Sequence, residues 1–63
     1  MKYQIRDPTS YDNRYWHEVS HTEFIELLRA QTLGFRANMA YMEKDEKNLV
    51  VGKDGVEFKI SKE

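Results

Sequence analysis

Two histidines four residues apart, His17 and His21, are the side chains in this sequence best suited to chemistry, with Glu18 beside the first in the run His-Glu-Val-Ser-His. On one helix, histidines at i and i+4 share a face and can hold a zinc ion, while the glutamate activates a bound water. The chemistry would be hydrolysis, and it needs a third ligand. The chain has no third histidine and no cysteine, and the candidate carboxylates Glu26, Glu43 and Glu46 stand in no second motif. A second constellation follows a different logic. Arg6, Tyr11, Arg14, Tyr15, Trp16 and His17, with Tyr3 upstream, interleave arginine with aromatics. Such a segment can stack bases and neutralise phosphates. Tyr, Trp and Arg are equally the residues that dominate protein–protein contacts. A third use is structural, with Tyr15 and Trp16 covering a thin core. Asp7, Asp12 and Glu18 share the segment and repel phosphate.

The five-residue run resembles the signature of the zincin metalloproteases, over residues 17–21 alone. That resemblance implies a zinc-dependent hydrolase with His17 and His21 as ligands and Glu18 as base. The residues after His21 are Thr-Glu-Phe-Ile-Glu and depart from the extended form found in one large branch of those enzymes. A chain of 63 residues also has little room for a protease's sheet, cleft and second helix. Zinc hydrolysis therefore stands third among the functions considered, and neither metal nor cofactor is expected.

The elements that must position these groups are partly visible in the pattern. Lys2 to Arg6 alternates, with Tyr3 and Ile5 on one side, and predicts a short strand ended by Asp7-Pro8-Thr9-Ser10. Tyr11 to His17 fits a loop, a helical turn or a strand. Ser20 and Glu23 make an S-x-x-E capping box, and Val19 and Phe24 occupy the hydrophobic-staple positions. Phe24, Leu27 and Leu28 then share one stripe, flanked by Ile25, which predicts an amphipathic helix over about 21–32 closed by Gly34 in a left-handed C-terminal cap. This start puts His17 outside the helix and His21 inside it.

Phe35, Ala37, Met39 and Tyr41 alternate as a strand face, and a strand is favoured over 35–42 although Ala and Met also form helices well. Met39, Tyr41 and Met42 would then serve as strand-face core, or as an adaptable contact surface. Leu49-Val50-Val51, Gly52-Lys53-Asp54-Gly55 and Val56 to Ile60 form a hairpin signature turning at Asp-Gly. The expected core is Phe24, Leu27, Leu28, Val51, Val56, Phe58 and Ile60.

Composition limits the function classes. Ten basic and eleven acidic residues leave a net charge of −1, mixed along the chain, so neither a duplex-DNA footprint nor a DNA mimic is indicated. Apolar runs such as Leu49-Val50-Val51 are far short of the roughly 18 residues that a membrane helix needs. The N-terminal run has no apolar stretch after Lys2, so no signal peptide is expected. Absence of cysteine suits a reducing cytoplasm.

These features predict a single small α+β domain over 1–63, with one amphipathic helix packed on a small antiparallel sheet. The sheet would consist of the first strand and a three-stranded meander ending in the hairpin. The function expected by exclusion is a cytoplasmic, non-enzymatic protein-binding module, such as a small inhibitor or modulator of a larger enzyme or complex of the kind mobile elements encode. Arg6, Tyr11, Arg14, Tyr15, Trp16 and His17 would meet the partner, and a homodimer is a further option. The alternative is a single-stranded nucleic-acid or ribonucleoprotein binder using the same segment.

Overall fold

Tyr3 and Ile5 alternate with Lys2, Gln4 and Arg6, and this period of two forms β1 (Lys2–Arg6). The computed structural model describes residues 1–8 and 15–62. After β1 come β2 (His17–Val19), α1 (His21–Gln31), α2 (Phe35–Lys44), β3 (Val50–Val51) and β4 (Glu57–Ser61). The four strands form one antiparallel sheet in the order β2-β1-β4-β3. This is an α+β fold with both helices packed against the sheet. No helix among the described residues is long and apolar enough to cross a membrane.

Register decides the faces. Tyr3 lies opposite Ile60, Ile5 opposite Phe58, and Val50 opposite Phe58, so these side chains share the helix-covered side. Phe24, Leu28 and Met42 from the helices meet Val50, Val56, Phe58 and Ile60 in the buried core, with Tyr3, Ile5, Val19, Leu27, Phe35 and Met39 packed around it. Phe24 stands edge-on to Phe58 at 5.5 Å and tilted against Tyr3 at 5.2 Å. Both distances fall in the range that aromatic pairs prefer.

The helix start expected at Ser20 is present. Ser20 is extended at φ −69° and ψ 159°, and its hydroxyl accepts the Glu23 backbone N–H at 3.1 Å. The hairpin also forms. Gly55 takes a φ of 85°, the left-handed conformation that closes a three-residue loop after Lys53 and Asp54.

Five expectations need correction. Residues 35–42 are helix: Phe35, Met39 and Met42 lie at i, i+4 and i+7, and that stripe reaches the core, whereas Ala37 and Tyr41 of the alternating pattern are exposed. The meander is therefore absent, and β4 runs between β1 and β3 instead. Gly34 is left-handed at φ 69°, but Thr32 is the C-cap of α1 and Gly34 is the N-cap of α2. Val51 is exposed and Val50 is the buried residue, because Val51 pairs with Glu57 on the opposite side of the sheet. Leu27 is half-buried.

Candidate binding surface

The side of the sheet turned away from the helices carries the alternate residues of the same strands. Arg6 lies across from Glu57, Gln4 lies between Glu18 and Lys59, and Lys2 lies across from Ser61. Arg6 Nε donates to Glu57 Oε1, and both side chains keep part of their surface in solvent. Trp16 immediately precedes β2. Because His17 pairs with Ile5, Trp16 falls beside Arg6 on the outer side.

Two cations meet its ring. The Arg6 guanidinium lies 4.8 Å and the Lys59 ammonium 4.6 Å from the ring centroid. Each contact is within the roughly 6 Å reach of the ring quadrupole and contributes about 0.5–1 kcal/mol at a partly solvated site. Trp16 is half-buried, as are Arg6 and Lys59. Cationic Lys2, Arg6 and Lys59 share the face with anionic Glu18 and Glu57, so its charge is close to balanced. The result is one large amphipathic ring set in a field of long polar side chains, with two charged neighbours holding its orientation. Such an arrangement suits recognition.

Of the residues expected to meet a partner, Arg6 and Trp16 come together. His17 does not join them, because its place opposite Ile5 puts it on the helix side, where it remains exposed. Tyr15 is also exposed. Tyr11 and Arg14 lie outside the described residues. Lys59 and Glu57 were missed. Their polar alternation along the hairpin was visible, but their closeness to Trp16 requires β4 to pair with β1, a contact between chain segments about fifty residues apart.

The His-Glu-Val-Ser-His run does not lie on one helix. His17 belongs to β2 and His21 opens α1, with the extended Ser20 between the two elements. The His21 ring instead packs against Tyr3 at 4.9 Å. Among the described residues, no group of three or more His, Cys, Asp and Glu is placed to hold a metal ion. No family model matches the chain, and no curated protein and no solved structure matches it.

Proposed function

We propose that this chain is a non-enzymatic protein-binding module whose contact surface is the outer face of the sheet, centred on Trp16. The observation that carries the reading is the placement of Trp16 between Arg6 and Lys59 on the face the helices do not cover. Trp and Arg are the residues most enriched where binding energy concentrates, because both bring a large planar surface and directional hydrogen bonding at once. The near-balanced charge favours a protein partner over phosphate. The module acts by occupying that partner, as an inhibitor or modulator of a larger enzyme or complex, in the cytoplasm that a cysteine-free chain suits.

Trp16→Ala tests the proposal. Partner capture should be lost, while circular dichroism and thermal melting show a folded domain. Melting at the wild-type temperature with capture intact would sink it, as would outright unfolding, which would make Trp16 a core residue. The two cations beside the ring also favour a second reading, single-stranded nucleic acid. Titration with single-stranded DNA and RNA separates the two. A site that neutralises phosphates through Arg6 and Lys59 would show a log–log salt slope of about −1.4, from roughly −0.7 per phosphate contacted. The expected result is no binding at low salt.

A further inference from the structure

Away from Trp16, the end of α1, the connection to α2 and the tip of the β3–β4 hairpin border an open hollow of about 360 Å³ lined by Arg29, Ala30, Gln31, Thr32, Leu33 and Lys53. Ligand pockets span roughly 300–1,000 Å³, so this hollow suits a residue-sized group. Its walls are held in place. The Lys53 backbone N–H donates to the Gln31 carbonyl at 2.8 Å, the Asp54 N–H to Gln31 Oε1 at 3.0 Å, and Gln31 Nε2 to Asp54 Oδ2 at 3.0 Å. Gly52 permits this approach, since a Cβ there would stand 2.5 Å from the Gln31 Cβ.

The chemistry of the lining is one-sided. Arg29 and Lys53 are its charged residues, no carboxylate lines it, and neither cation forms an ion pair among the described residues. The nearby Asp54 carboxylate already accepts from Gln31. The Arg29 guanidinium lies over the Phe35 ring at 4.2 Å, and among the described residues no ion pair occupies its N–H groups. The end of α1 by itself disfavours an anion; the carbonyls of Leu28 and Gln31 accept from Thr32 and Lys53, and the two cations must outweigh what remains of the helix dipole. Leu33 borders the same hollow at 96% exposure, an apolar side chain left almost wholly in water.

We infer that this hollow binds the free C-terminus of a partner polypeptide. The terminal carboxylate meets Arg29 and Lys53, and an apolar terminal side chain covers Ala30 and Leu33. The site is separate from the Trp16 face and does not depend on it.

The experiment is an amide chemical-shift titration of the full chain with a short peptide ending in leucine, in free-acid and C-terminally amidated forms. A third peptide carries an internal glutamate and an amidated end. The free acid should shift resonances of residues 29–33 and 53, and amidation should weaken binding about tenfold or more, the size expected for losing a charge-assisted hydrogen bond. Lys53→Gln should weaken the free acid similarly, and Trp16→Ala should leave it unchanged. Equal binding of the amide would overturn the carboxylate assignment. Equal binding of the internal glutamate would overturn the C-terminal one. Tighter binding of inorganic phosphate would overturn the polypeptide occupant, and no shift at millimolar peptide would overturn the site altogether.

Discussion

Val50 and Val51 are adjacent and identical in type, yet the first is 9% exposed and the second 60%. The difference lies in which side of the sheet each one faces. Val50 sits opposite Phe58 and looks into the helices, whereas Val51 sits opposite Glu57 and looks outward. The same division runs across the sheet. Tyr3, Ile5, Phe58 and Ile60 face α1 and α2, while Gln4, Arg6, Glu57 and Lys59, interleaved with them, face away. On the inner side the side chains are apolar and enclosed. On the outer side they are long, charged and half-solvated, and Trp16 lies among them. In so short a chain, cohesion is concentrated on one side of the sheet, and the other side is the surface we propose for a partner.

Substitutions should therefore separate the two sides. Phe24→Ala removes a fully buried ring that touches both Tyr3 and Phe58, and should cost about 3–5 kcal/mol. A domain this small has a thin core and only several kcal/mol in reserve, so denaturant titration should find the variant largely unfolded. A loss under about 1 kcal/mol would break the assignment of cohesion to the inner side. Gly52→Ala comes next. The new Cβ meets Gln31 at its Cβ, next to the backbone, as well as at its side-chain amide oxygen, so rotating the side chain alone does not relieve the clash and the hairpin or α1 must shift, at a cost of about 1–3 kcal/mol. A neutral effect in thermal melting would show that the hairpin tip is not held against α1.

Ser20→Ala should weaken the domain by about 0.5–2 kcal/mol, through loss of the hydroxyl that accepts the Glu23 N–H. This element was legible because its signals are local: cap, staple and stripe all fall within the ten residues from Val19 to Leu28. The first strand and the hairpin were legible for the same reason. Residues 35–44 were not, since Phe35 and Met39 fit both periods, and only Met42 against Ala37 and Tyr41 separates them. Tertiary burial decided that contest, as it commonly does where propensity is even. β2 is three residues long and exists through its pairing with β1, which no local pattern announces. For the surface, Arg6 and Trp16 were legible as residue types that bind. Their meeting with Lys59 and Glu57 was not, because it depends on the non-local β1–β4 register.

The smallest expected effect belongs to the outer side and sharpens the comparison most. Arg6 and Glu57 are cross-strand neighbours joined by a hydrogen-bonded ion pair, with side chains 31% and 25% exposed. A partly solvated pair gains little, because water screens the attraction and ordering two long side chains costs entropy. A double-mutant cycle with Arg6→Gln and Glu57→Gln should therefore give a coupling energy of no more than about 1 kcal/mol. That coupling should shrink as salt rises toward 1 M, where the screening length falls to roughly 3 Å. Arg6 also lies against Trp16, so the same cycle repeated in a Trp16→Ala background asks whether the ring strengthens the pair. If the ring excludes water from the pair, the coupling should drop when the ring is removed. A coupling above about 2 kcal/mol that persists in high salt would mean that Arg6, Glu57 and Trp16 form a second, polar core. The outer side would then hold the fold together as the inner side does, and the division of labour proposed for the two sides would fail.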